Sequence, residues 1–524
     1  MPLETTQPPT APLSWLEAYR DGRLREFHRV PAGDLEAALE GTHPADRALL
    51  EAAASAYLKR IGAPKKALQN AARLAHPNSR VVIAGQQAGL LSGPAYTVSK
   101  AINAILLARQ ADREDRPVVP VFWVASQDHD VLEVAGTRLL DLNEQEHAIT
   151  LELPANRPVG RIALERAWVE RCLRELRDFA APEEFKKPVY DLVESSARGS
   201  SSYAEWFARI VSGLLGPHGL VVVDPLTPEF APLFAPFIRH ELCHPLSGTE
   251  AIEEAAIRLE ALGFAPQLRR PAGSTNLFLE GDDHQRRLLR FDGKEFQADR
   301  TYSREELEAI LEADPSRLTP AAGLRPTLAD AILPSAASIL GPSELAYQLE
   351  LAGVYALHNV PQPLLWPRMS VTWLEPPVRR ILARYDLGAD AFVSDPSGSL
   401  ERTLLERTGA AESFRAGLVD LELAFERLAG SLDPLDPTLK GALSRSRSRV
   451  MGHVARLEKK VAASLVRLED TADHQFERLN LHLKPHGTPQ ERSENFLSFL
   501  MKYGPYTLER MLRLEPHGSH TLEI

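Results

Sequence analysis

Two short apolar runs stand out in the first third of the chain, Arg80–Ala84 (RVVIA) and Val118–Ala125 (VVPVFWVA). Between them, Val98, Ile102, Ile105 and Leu106 recur at helical spacing within Tyr96–Arg109, with Pro94 near the first turn. Unbroken apolar runs of this length suit strands covered on both faces, and an amphipathic helix between two of them is the pattern of a parallel βαβ unit. Two later runs extend the series: Gly219–Pro225 (GLVVVDP) follows another amphipathic helix, and Pro361–Arg368 follows a helix starting near Ser343. The segment 276–296 breaks the alternation with short strand patterns and an Asp292-Gly293 turn, which predicts an antiparallel insertion. Ser303 and Glu306 then form a capping box at the start of a helix. The fold class predicted is α/β, a parallel-sheet core.

The last third changes period. Phe414, Leu418, Leu421, Phe425, Leu428 and Leu432 step by four and three, a heptad seam that Asp433–Pro437 (DPLDP) should end. Val450, Val454, Leu457, Val461, Leu465, Leu468, Ala472, Phe476, Leu479 and Leu483 instead repeat every eleven residues, the period of a nearly straight helix. Two such helices joined by a Pro turn predict an antiparallel coiled-coil arm, with two ordinary amphipathic helices packed on the core as the plainer alternative. Lys484–Arg492 (KPHGTPQER) reads as a joint at the base of the arm, leading into a last helix near Ser493. The opening dozen residues, rich in Pro and Thr, read as a loose tail.

Composition narrows the function classes. The 524 residues carry a net charge of −11, the wrong sign for a protein that neutralises phosphates along a polymer, so nucleic acid and anionic membranes are poor partners. A local basic pocket for a nucleotide or a small anionic substrate stays compatible with that charge. The two cysteines, Cys172 and Cys243, lie far apart and outside any metal-binding spacing. With no signal-peptide pattern and no run of about 20 apolar residues, the sequence predicts a cytoplasmic protein.

Three clusters carry candidate chemistry. Gly85-Gln86-Gln87-Ala88-Gly89 to Gly93-Pro94 lies between a strand and a helix, where open α/β sheets place ligands. Its glycines and the helix start suggest an anion site, although neither standard phosphate motif is matched, and a merely tight turn is the alternative. Lys100 on the following helix is either a phosphate partner or a solvated lysine. Asp128-His129-Asp130 follows the second strand; a histidine between carboxylates can be a general base, a substrate anchor or, less readily, a metal ligand, while the plain alternative is a helix cap. Gly341-Pro342-Ser343-Glu344 with Tyr347, Arg325 and Arg368 offers an acid for an ammonium group and arginines for a carboxylate, or simply a capped helix start.

The strings GQQAGLLSGPAYTVSK, FWVASQDHDVLEV, LRPTLADAILPSAASILGPSELAYQLE and LKPHGTPQER occur in this order between about residues 80 and 505. Together they resemble the BshC family, cysteine ligases of bacillithiol biosynthesis that add cysteine to glucosaminyl malate. The resemblance implies a nucleotidyltransferase-like Rossmann core over 1–390, with connecting-peptide insertions near 150–200 and 265–320. It further implies a coiled-coil domain over 391–485, a returning segment over 486–524, and a homodimer. By motif position, Gly85, Gln86, Gln87, Gly89, Gly93 and Lys100 would line the nucleotide side of the site. Asp128, His129 and Asp130 would form the other wall, and Arg325, Gly341, Glu344, Tyr347 and Arg368 would recognise cysteine or the sugar. Gln127 stands where the family usually has Glu, and Ala321 where Asn is common, which keeps a different amine substrate open.

Amide formation from a free carboxylate is uphill in water, so the expected cofactor is ATP with Mg2+, its phosphates near the Gly85–Gly93 turn and Lys100. His129, held by Asp128 or Asp130, would accept a proton from the attacking amine. No structural metal is expected. The rival class is a non-catalytic nucleotide-binding sensor whose arm recruits a partner.

Overall fold

The computed structural model describes residues 14–432, 439–468 and 470–524. The expected N-terminal tail and the Asp433–Pro437 turn lie outside them. Five parallel strands form the central sheet: β1 (Arg80–Gln86), β2 (Val118–Val124), β3 (Val221–Val223), β4 (Ser335–Leu340) and β5 (Leu364–Pro367), in spatial order β5-β4-β1-β2-β3. Every residue of β2, β3 and β4 is buried, as the unbroken apolar runs of β2 and β3 require for a sheet covered on both faces, and β4 buries Ser335 and Ser338 with its apolar residues. The crossover helix Ala95–Ala111 is buried nearly all round, including Lys100 and Asn103. Strand order reverses between β1 and β4, so the chain leaves these neighbours in opposite directions and opens a crevice at their carboxyl ends. This is a Rossmann-like α/β core.

Two insertions interrupt it. Between β2 and β3 lie the hairpin Gly136–Leu140/Glu146–Thr150 and the helices Arg166–Asp178, Glu183–Arg198 and Tyr203–Leu215. Between β3 and β4, an antiparallel sheet runs in the order Leu318–Pro320, Ser274–Glu280, Arg286–Phe291, Phe296–Gln297, Thr301–Tyr302. The predicted turn at Asp292-Gly293 is present: Asp292 Oδ1 accepts from the amides of Lys294 and Glu295, and Gly293 has φ 101°. The capping box at Ser303 and Glu306 is also formed.

Two compact units divide the chain, 1–371 with 493–520, and 372–492 with 521–524. The division falls earlier than the expected 390. Helices Pro376–Tyr385 and Ala389–Ser394 join the second unit because Val378, Leu382, Tyr385 and Phe392 share a core with Leu404, Phe476, Leu479 and Leu483. In that unit the long helices are Ala410–Leu432, Lys440–Leu468 and Asp470–Leu483. Arg447 Nε lies 2.7 Å from Glu422 Oε2 and links the first two. The eleven-residue seam is uneven: Ala472, Phe476, Leu479 and Leu483 are buried, Val450, Val454, Val461 and Leu465 are half-buried, and Leu457 and Leu468 are exposed. Its second half enters the core shared with Val378, Leu382, Tyr385, Phe392 and Leu404. Left-handed backbone at His486 (φ 51°) and Gly487 (φ 77°) makes the predicted bend after the last of them. No described helix is long and apolar enough to cross a membrane.

Candidate active site at the sheet switch point

A cleft of about 250 Å3 opens at the carboxyl ends of β1 and β4. Its apolar wall includes Ile83, Trp123 and Ala125; its polar groups include Gln86, Gln87, Glu133, Arg325, Glu344 and Tyr347. Here the sheet end leaves backbone and side chains uncovered by the next crossover, which is why ligands favour such positions.

One side is organised by a buried lysine. Lys100, expected at best to reach a phosphate, has a side chain only 3% exposed, and its Nζ lies 2.6 Å from Glu344 Oε2. The same ammonium donates to Gly85 O at 3.1 Å and Gln86 Oε1 at 3.0 Å. Burial pushes the Lys100 pKa down, against the pull of Glu344. For Glu344, burial pushes upward, but Lys100, the Gly341 amide and Arg325 together outweigh it and leave the carboxyl below its ordinary value. Glu344 Oε2 also accepts from the Gly341 amide at 2.6 Å, so Gly341 serves as a cap while its acid reaches the cleft. Tyr96 gathers the cations: the Lys100 and Arg368 head groups lie 5.7 and 5.2 Å from its ring centre.

Arg325 and Asp128 form the second polar group. Arg325 Nη1 donates to Asp128 Oδ2 at 3.3 Å, Gln87 Nε2 donates to the same oxygen at 2.8 Å, and the His129 amide donates to Oδ1 at 2.8 Å. Burial works against the Asp128 carboxylate, but Arg325 and Arg286 hold its pKa below the ordinary value. Tyr347 is pushed up to about 12, by burial first and then by Glu344, so its hydroxyl stays protonated.

The Gly-rich turn departs from the expected anion cradle. The amide of Gly89 donates to Gln87 O, Leu90 to Val134 O, Gly93 to Leu90 O and Ala95 to Glu494 O. These donors are spent within the protein, including the one at the helix start. A Cβ on Gly89 would stand 2.8 Å from Gly93 Cα, and Gly93 has φ 68°. Both glycines are therefore required by the turn's closure on itself, and neither lines the cleft. From the returning segment, buried Asn495 holds the turn: its Oδ1 accepts from Ser92 Oγ at 2.7 Å and its Nδ2 donates to Thr137 Oγ1 at 2.9 Å.

His129 departs further. Its Nδ1 lies 3.8 Å from Asp128 Oδ1, too far for a hydrogen bond, and 3.0 Å from Arg286 Nη1 in the insertion. A guanidinium only donates, so Nδ1 accepts and the neutral ring carries its proton on Nε2. Burial and Arg286 together lower the His129 pKa, against Asp128 and Asp130. Burial brings Arg286 itself down to about 9. The expected orientation of His129 by Asp128 or Asp130 is thus replaced by Arg286, and exposed Asp130 makes no side-chain cap.

Of the predicted residues, Gly85, Gln86, Gln87, Arg325, Glu344 and Tyr347 line the cleft. Lys100, Asp128 and Arg368 stand behind them, and Gly89, Gly93, Gly341, His129 and Asp130 serve or lie elsewhere. Sequence reasoning passed over Glu133, Asp330, Tyr96 and Arg286. Glu133 lines the cleft and its pKa is raised by burial, then by Asp130 and Asp128. Asp330, in the cleft wall, is pushed by burial up to about 7 and accepts from the Tyr355 hydroxyl. Acids at spacings such as Arg325/Asp330 were visible, but their burial was not. Gln127 is buried with Oε1 unpartnered among the described residues, and the Ala321 amide donates to Asn276 O; neither lines the cleft.

Comparison with known proteins bears on the whole chain. Residues 22–369 match the N-terminal Rossmann-like domain of bacillithiol biosynthesis BshC, and residues 371–524 match its C-terminal coiled-coil domain. A Thermus thermophilus protein named "Putative cysteine ligase BshC" is 41% identical over 87% of this chain and 90% of its own. Proteins of the same name from Symbiobacterium thermophilum and Salinibacter ruber are 32% and 31% identical, covering 92% and 94% of this chain and 90% and 91% of theirs. With both domain types matched in order and this likeness along its length, the chain belongs to the BshC family of bacillithiol biosynthesis.

Proposed function

We propose that the chain is a cysteine ligase that joins the carboxyl group of L-cysteine to the amine of glucosaminyl malate, the closing step of bacillithiol assembly. The observation that carries this reading is the meeting of Glu344 and Arg325 in one cleft. An amino acid needs an acceptor for its ammonium group and a fork for its carboxylate, and these two side chains supply both. Lys100 keeps Glu344 ionised for the first task.

Amide formation requires an activated carboxylate, and the cofactor we assign is ATP with Mg2+. The Gly85–Gly93 turn fits phosphates poorly because the amides of Gly89, Leu90, Gly93 and Ala95 are engaged, and Lys100 spends its ammonium on Glu344, Gly85 and Gln86, so we assign neither to the phosphates. When bound, the nucleotide supplies the driving force for activation. The attacking amine must lose a proton, and Glu133 is better placed to take it than His129, whose Nδ1 lone pair is used by Arg286. A carboxyl raised above its ordinary value is a stronger base near neutral pH. The half-buried seam of the long helices supports a homodimer as the working form, tested by light scattering on the eluted protein.

The direct test supplies L-cysteine, glucosaminyl malate and ATP with Mg2+ to the pure protein and follows the amide product by mass. Product formation that falls at least tenfold in Glu133→Gln is expected. Absence of both product and nucleotide turnover in folded protein rejects the reading, and nucleotide binding without turnover favours a sensor instead.

A further inference from the structure

Away from the cleft, His240 and Glu241, at the end of helix Ala231–Cys243, meet His358, the C-cap of helix Ala352–Leu357. One ligand atom from each lies within 4.8 Å of the others. His358 Nε2 is 2.8 Å from Glu241 Oε1, with side chains 1% and 2% exposed. Four buried polar atoms here lack a partner among the described residues: Glu241 Oε2, His240 Nδ1 and both ends of the Asn276 amide, whose Nδ2 lies with Glu241 Oε2 around the position a Cβ on Gly248 would take. Leaving such atoms unpaired is costly, so their convergence needs an explanation.

We propose that His240, Glu241 and His358 form a binding site for a divalent transition-metal ion of the zinc class, tying the two helix ends together. Two imidazoles and one carboxylate are the ligands such an ion prefers, and three protein ligands leave a fourth position for water. The carboxylate offsets one of the ion's two charges in surroundings where Glu241 is otherwise buried. Tetrahedral coordination at about 2.0–2.1 Å sets ligand atoms about 3.4 Å apart, so closing the cluster needs movements of about 1 Å. His240 is half-buried and can make them; its ring packs on His358 and on exposed-side His244, with centroids 4.9 and 4.6 Å apart. Oxygen-seeking Mg2+ is the poorer occupant, because two of the three ligands are nitrogen.

The sequence gives no sign of this site, because Glu241 and His358 are 117 positions apart. Nor does it coincide with the cleft, whose lining includes none of the three.

The test uses the full-length, tag-free protein, stripped with chelator and dialysed against Zn2+ or Co2+ alone. One Zn2+ per chain is expected, with intense visible Co2+ bands of low-coordinate nitrogen and oxygen ligation and a higher Tm. His240→Ala, at a half-buried position, and Glu241→Gln should each lose the bands and the Tm rise. His284→Gln, a histidine outside the cluster, should keep them. Folded wild-type protein that takes up no metal, or variants that retain metal and spectrum unchanged, would overturn the site. Because the readouts are binding, spectrum and melting, they are independent of ligase turnover.

Discussion

Arg286 donates from Nη1 to Nδ1 of His129 at 3.0 Å, across 157 residues of chain. The contact assigns the imidazole its tautomer and removes from use the lone pair that a base would need. Arg286→Met should therefore raise the His129 pKa, since burial and Arg286 are what lower it and Asp128 and Asp130 remain. NMR titration of the histidine Cε1–H signals reads this directly. Linkage follows the same sign. A histidine with a lowered folded-state pKa binds fewer protons folded than unfolded, so it costs stability as pH falls below about 6.5. Arg286→Met should flatten that part of the stability profile. An unchanged titration would show that the arginine does not control the ring.

Glu344→Gln removes the carboxylate that compensates Lys100. Breaking a fully buried pair costs about 3–5 kcal/mol, but Glu344 is 29% exposed and Lys100 keeps two oxygen partners. A loss of about 1–2 kcal/mol is expected by denaturant titration. On the proposed reading, in which Glu344 accepts the ammonium group, cysteine saturation should weaken at least tenfold.

Asn495→Ala should loosen the Gly-rich turn although it lies in the returning segment. Its amide joins Ser92, Leu90 and Thr137, and losing it strands buried groups at a cost of about 3 kcal/mol. Hydrogen exchange across residues 85–97 should quicken more than exchange in β2. Uniform protection in both regions would mean that the segment merely lies beside the turn.

The uneven seam of the second unit predicts unequal costs. Phe476 is 3% exposed and Leu457 is 54% exposed. Phe476→Ala should cost about 3–5 kcal/mol by the loss of buried contacts, whereas Leu457→Ala should stay within about 1 kcal/mol. Equal penalties, measured in the full chain by denaturation, would contradict the packing.

Much of the architecture was legible locally. The runs RVVIA and VVPVFWVA could satisfy neither a solvated strand nor a surface helix, so they specified buried parallel strands with a helix between them. Asp292-Gly293, Ser303 and Glu306 announced a turn and a cap through contacts no more than three residues apart. The long helices likewise declared themselves by period. Site chemistry was partly legible, because Gly85, Gln86, Gln87, Arg325, Glu344 and Tyr347 sit in strings that end strands or start helices.

What only the tertiary structure decided is how those groups are paired. Lys100 looked like a solvated or phosphate-facing lysine until strand order placed Glu344 against it. His129 looked held by its sequence neighbours, yet Asp128 is used by Gln87 and Arg325 while Arg286 arrives from an inserted sheet. The glycines signalled a special turn, but whether its amides faced a ligand depended on Val134 and Glu494, which approach from elsewhere. Local sequence determines backbone preference and the apolar face through interactions within a few residues. Protonation, tautomer and donor availability depend on charges and acceptors within a few ångströms, and folding draws those from positions hundreds of residues apart.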